Sequence, residues 1–177
     1  MERKFCGGLL VCLTSVLVLA GCGGSAAVNL PSGGSGPTLG NDAILLSPSG
    51  LKAESKLIGQ PFYWAGTRKG HETEFQRLQN GYIYVRYLTK GDPAGAAGSF
   101  LTIGTYPFKG AFKGVKDTSN GGAVPGPGRS IVYVRPDPTS VLLAFHHVDY
   151  EIEVYSPRAK LSRKIAFSGL IRPVTKP

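Results

Sequence analysis

Downstream of residue 42, apolar and polar residues alternate in short runs separated by clusters of Gly, Pro, Asn and Asp. That is the pattern of an antiparallel sheet with tight connections. Folding is expected to begin near Ala43-Ile44-Leu45-Leu46, with a short helix over Leu51 to Ile58. Gln60 to Gly66 holds Pro61 and then three aromatics, Phe62, Tyr63 and Trp64, which suits a strand entering the sheet. Thr73 to Gln79 and Tyr82 to Leu88 flank Asn80-Gly81, the strongest short hairpin signal. A two-residue type I′ turn there predicts that Leu78 faces Ile83, Arg77 faces Tyr84 and Phe75 faces Arg86. Leu78, Ile83 and Val85 then form the core side, because side chains on a strand repeat every second residue. The opposite side would mix Phe75, Tyr82 and Tyr84 with Arg77 and Arg86, which places rings beside guanidinium groups.

Gly91 to Ser99 and Ser119 to Ser130 are too rich in Gly and Pro for regular structure and read as loops. Between them, Phe100 to Tyr106 reads as a strand and Phe108 to Lys116 as a short helix weakened by Gly110 and Gly114. Ile131 to Arg135 and Val141 to Phe145 are strands joined through Pro136-Asp137-Pro138. The second is apolar on both faces and should be covered twice. Tyr150 to Tyr155 alternates, with Ile152 and Val154 inward. Ser156-Pro157 then opens a helix, Ser as N-cap and Pro in the first turn, with Gly169 as its stop. Leu161, Ile165 and Ala166 form its apolar stripe, and Lys160, Arg163 and Lys164 lie away from it. The fold class is therefore α+β: an antiparallel sheet of about five to seven strands with a C-terminal helix packed on one face.

The first 42 residues follow a different pattern. Met1-Glu2-Arg3-Lys4 leads into an apolar run, Leu9 to Ala20, that is too short for the roughly 20 residues of a membrane-spanning helix. A charged start, an apolar core and small residues at the end make a secretory signal. Its last residues, Leu19-Ala20-Gly21-Cys22, resemble the lipobox of bacterial lipoproteins. That resemblance implies cleavage before Cys22, acylation of the Cys22 thiol and a mature protein held on the outer face of a bacterial membrane. Gly23 to Asn41 is a Gly/Ser/Pro tether of 19 residues with little to bury, and its reach is about 25 Å. Residues 1–21 are thus a signal peptide, 22–42 the lipidated cysteine and tether, and 43–177 a single globular domain.

Removing residues 1–21, which carry Glu2, Arg3 and Lys4, lowers the formal charge from +9 to +8. A basic balance favours anionic partners. In the envelope this means lipid heads or wall polymer; nucleic acid is not expected there. Cys6 and Cys12 leave with the signal and Cys22 carries lipid, so the domain has no free thiol and no disulfide. Thiol nucleophiles, thiol redox chemistry and Cys-ligated zinc are excluded.

Few constellations suggest chemistry. Adjacent His146 and His147 point to opposite faces in a strand but converge in a turn, where Asp149 is close enough to orient one of them. Nothing resembles HExxH, and Gly91 to Ser99 lacks the Lys and the helix of a phosphate-binding loop. The carboxylate pairs Glu72/Glu74 and Glu151/Glu153 each share a strand face and read as solvating charges. The aromatics Trp64, Tyr82 and Tyr84, with Arg77 and Arg86, and the basic trio Lys160, Arg163 and Lys164 are the candidate binding residues. The expected function is that of a membrane-anchored envelope lipoprotein with a non-catalytic binding domain and no cofactor. Its partner would be an anionic envelope surface or an envelope protein. The alternative is a tethered hydrolase or metal enzyme built on His146, His147 and Asp149.

Overall fold

The alternating segments assemble into one eight-stranded antiparallel sheet in the computed structural model, which describes residues 42–175. In chain order the elements are β1 (Ile44–Leu45), α1 (Pro48–Ile58), β2 (Tyr63–Trp64), β3 (His71–Arg77), β4 (Ile83–Thr89) and β5 (Leu101–Pro107). There follow α2 (Ala111–Thr118), β6 (Val124–Gly126), β7 (Ser130–Val134), β8 (Ser140–Phe145), β9 (Tyr150–Tyr155), α3 (Ala159–Ala166) and β10 (Arg172–Pro173). The main sheet runs β1-β3-β4-β5-β9-β8-β7-β6, and β2 pairs with β10 in a separate two-stranded sheet. Eight strands exceed the expected five to seven. The surplus lies at the edges, where β1 has 2 residues and β6 has 3, too few to show a period. Pro125 is tolerated in β6 because an edge strand leaves one side of its backbone unpaired.

The hairpin forms, but its register differs by one residue from the expected one. Phe75 faces Val85, Glu74 faces Arg86 and Arg77 faces Ile83. Leu78 bonds to Tyr82, whose carbonyl accepts its N–H at 2.8 Å, and Gly81 N–H donates to the Leu78 carbonyl at 3.0 Å. Gln79, Asn80 and Gly81 therefore make a three-residue loop with Gly81 at φ +82°, a turn closed by a glycine bulge. Asn80 Oδ1 accepts the Tyr82 N–H at 3.0 Å and completes it. The slip moves Phe75 to the core side, where it is fully buried with Ile83, Val85 and Tyr87, and leaves Leu78 at the base of the loop. A Cβ at Gly81 would find only ordinary contacts with Pro107 and Gln60. Gly81→Val should thus cost backbone strain alone, about 1–3 kcal/mol, read as a shift of the denaturation midpoint. An unchanged midpoint would contradict the left-handed glycine.

Helices cover both faces of the sheet. On the first face, Leu51 of α1 and Ile165 and Ala166 of α3 join Phe75, Val85, Ile103, Val141, Leu143, Ile152 and Val154 in the main core. On the second face, Ala111 and Val115 of α2 pack on Ile131, Leu142 and Ala144. β8 is accordingly buried from Ser140 to Ala144, as its uniformly apolar sequence requires. The start of α1 is set by Ser47, which accepts the Gly50 N–H, with Pro48 next, so the helix begins before Leu51. Ser156 behaves differently. Its hydroxyl accepts the Arg158 N–H at 3.2 Å in a turn, and α3 starts only at Ala159. Gln60 to Gly66 does not enter the main sheet either. Phe62 to Ala65 are buried beneath β10 and the first-face core.

Candidate functional site

The second face of the sheet carries a polar and aromatic surface beside the α2 cluster. β5 places Gly104 and Tyr106 on it, β4 contributes Tyr84 and β9 contributes Glu151 and Glu153, since Tyr84 pairs with Gly104 and Gly104 pairs with Glu153. Gly104 has no Cβ, and the Tyr106 ring lies back over it: a Cβ there would stand 2.6 Å from Tyr106 Cζ. In that pose Tyr106 Oη donates to Glu153 Oε2 at 2.6 Å. Ser140 Oγ donates to the other oxygen of the same carboxylate, and Arg135 lies 3.9 Å from it. Burial, reinforced by the Glu153 carboxylate, raises the Tyr106 pKa far above that of a free phenol.

Tyr82 and Tyr84 lean on this ring, with centroids at 4.8 and 5.9 Å and planes inclined at 58° and 70°. Tyr84 thus meets Tyr106 edge-to-face, a favoured geometry for rings of opposed edge and face charge, while Tyr82 is tilted against it. Beside them runs a groove of about 330 Å³ lined by Tyr82, Tyr106, Phe108, Arg135, Glu151 and Glu153. Tyr82 keeps 37% and Phe108 44% of their surface exposed, so both rings are open to a ligand. Glu151 is half-buried, and its pKa is raised, first by burial and then by Glu153 next to it. Among the described residues nothing donates a hydrogen bond to its carboxylate.

The other candidate residues are placed elsewhere. Trp64 is buried in the core with the Arg172 guanidinium 6.0 Å from its ring centroid, and little of its surface reaches solvent. Arg77 lies opposite Ile83, not Tyr84, and is half-buried. Arg86 pairs with Glu74 at 2.7 Å, donates to the Ala96 carbonyl at 2.8 Å and covers the Phe100 ring at 5.0 Å. Glu74 also accepts the Gly95 N–H at 2.6 Å. The expectation of a solvated Glu72/Glu74 pair is therefore corrected: Glu74 is fully buried and pins the Gly91–Ser99 loop over the sheet.

His146 and His147 do lie together in the turn after β8, with ring centroids 5.5 Å apart. His146 packs on Phe112 at 3.8 Å, and His147 takes a left-handed φ of +60°. Asp149 is engaged with α2, accepting the Gly110 N–H at 2.8 Å. His71 bonds to the Lys69 carbonyl at the start of β3. Among the described residues no three His, Cys, Asp or Glu side chains could hold a metal ion. No protein-family model, curated protein or solved structure matches this chain.

The charge is unevenly placed. Lys52 and Lys56 on α1, and Lys160, Arg163 and Lys164 on α3, are exposed. The one acid in these two helices, Glu54, is buried. The ion pairs Arg86–Glu74, Lys113–Asp117 and Arg135–Glu153 lie on other elements. Lys52 and Lys56 also line a groove of about 570 Å³ with Trp64 and Arg172. Leu19-Ala20-Gly21-Cys22, the run that resembles a lipobox, lies outside the described residues, and among those described no helix is long and apolar enough to cross a membrane.

Proposed function

We propose that the chain is a bacterial envelope lipoprotein, acylated on Cys22, whose domain is a non-catalytic binding module that rests on anionic lipid through its helical layer. The observation that carries this reading is the absence of any exposed acid on α1 and α3, against five exposed basic side chains. Each basic group near an anionic surface is worth about 1 kcal/mol, decaying over roughly 8 Å at physiological salt. Five are enough to orient a domain that acyl chains already keep near the surface, and the chains themselves add about 0.8 kcal/mol per buried methylene. The opposite face, with the tyrosines and carboxylates, is then left free for a ligand. Engagement of Asp149 with Gly110 and of His146 with Phe112 supports this reading over the hydrolase.

The test has two steps. Cys22→Ala should move the protein from the membrane fraction to the soluble or uncleaved one and abolish fatty-acid labelling. The full chain carrying that substitution should then co-sediment with anionic vesicles and not with neutral ones. Added salt should release it, and Lys160→Glu with Lys164→Glu should prevent binding. Binding indifferent to lipid charge or to this charge reversal would reject the orientation, and unchanged labelling of Cys22→Ala would reject the anchor.

A further inference from the structure

The groove beside the tyrosine cluster combines features that serve one class of ligand. Its floor is the Tyr106 ring, whose hydroxyl end lies over Gly104, where there is no Cβ to displace it. Its walls include the open rings of Tyr82 and Phe108. Its polar groups are of both signs: the Glu151 carboxylate without a donor, the Glu153 carboxylate held by Tyr106 and Ser140, and the half-exposed Arg135 guanidinium. We propose that this groove is a saccharide site that stacks the apolar face of a pyranose on the exposed Tyr82 ring, above Tyr106, and takes its hydroxyls on Glu151 and Arg135.

The chemistry selects a neutral polyol over a cation. A pyranose offers C–H groups on one face and hydroxyls on its rim that both donate and accept. An aromatic ring suits the face, while a carboxylate and a guanidinium suit the rim with charge-assisted hydrogen bonds. An ammonium ligand would meet Arg135, whose positive charge already bears on both Glu151 and Glu153. A phosphate or carboxylate ligand would meet the two acids. A groove of about 330 Å³ holds one or two sugar rings.

Titration of the full chain carrying Cys22→Ala, without vesicles, tests the site separately from membrane docking. The probes are chitotriose, cellotriose and, as the cationic competitor, Nα-acetyl-lysine amide, followed by calorimetry and saturation-transfer NMR. At least one trisaccharide should bind with a dissociation constant of about 1 mM or tighter, and saturation should concentrate on its ring C–H protons. Tyr82→Ala and Glu151→Gln should each weaken binding about tenfold, one by removing a stacking ring and the other by losing the charged acceptor. Glu151→Gln is nearly isosteric and should fold. Because the folded state raises the Glu151 pKa, ionisation of this group opposes folding above the usual carboxylate range. The Gln variant should therefore melt higher than the parent at neutral pH, and the gain should vanish in acid. Absence of binding by both sugars, binding untouched by both substitutions, or tighter binding of the lysine derivative would each overturn the assignment.

Discussion

Glu74→Ala should strongly destabilise the sheet, lowering unfolding free energy by about 3 kcal/mol. Glu74 is fully buried between β3 and the Gly91–Ser99 loop, where one oxygen takes Arg86 and the other takes the Gly95 N–H. Removing the carboxylate leaves a guanidinium with a carbonyl and the Phe100 ring but no counter-charge. Breaking one partner of a buried pair costs more than the pair contributes, because the remaining charge stays desolvated. The loss belongs at the lower end of the usual range, since Arg86 keeps 19% of its side-chain surface in water. Glu74→Gln preserves shape and one acceptor and should cost less. Replacing both partners, Glu74→Leu with Arg86→Met, should recover much of the loss, which a double-mutant cycle reads as coupling. A Glu74→Ala chain that unfolds within about 1 kcal/mol of the parent would mean that the loop is not held this way.

The same pair shows what the sequence could and could not disclose. The hairpin was legible because Asn80-Gly81 tolerates positive φ, and β8 because five successive apolar residues need cover on two sides. Register was not legible. Phe75 and Leu78 are three apart, so one strand cannot direct both into the core, and the choice depends on whether the loop takes two or three residues. Assigning Leu78 inward assumed the shorter loop. The glycine bulge puts the larger Phe75 inside and moves Leu78 out of the ladder. Glu74 read as a solvated acid because a strand pattern cannot tell that a distant Gly-rich loop will fold over it. The groove was half legible. Tyr82 and Tyr84 stood out by composition, whereas Gly104, Tyr106, Glu151 and Glu153 become neighbours only through the pairing of β5 with β9, strands far apart in the chain. Trp64 misled for the converse reason: aromatics beside a proline suit either a core or a surface, and here they fill the core. Exposure of Lys160, Arg163 and Lys164 follows from helical spacing, whereas the extension of this basic surface onto α1 depends on the fold, which buries Glu54.

Gly104→Ala should have the second large effect, and one that separates space from backbone strain. Gly104 lies in the middle of β5 without a left-handed φ, so any cost arises from what a methyl group would displace. That is the Tyr106 phenol, wedged between Tyr82, Tyr84 and Glu153. Overpacking of this kind costs about 1–3 kcal/mol, and swinging the ring outward would break its bond to Glu153 and remove the floor of the groove. In the parent, burial and Glu153 hold the Tyr106 pKa above the phenol value of 10.0. Stability linked to this group is therefore present below pH 10 and falls as pH rises, because the unfolded phenol ionises first. A displaced Tyr106 titrates near its ordinary value and loses this dependence. The stability gap between parent and Gly104→Ala should consequently narrow above pH 10. Against a Tyr106→Ala background the three atoms nearest to the alanine at 104 are gone, so its cost should largely disappear. If Gly104→Ala costs the same in both backgrounds, the glycine serves the strand and not the ring, and the tyrosine floor is wrong.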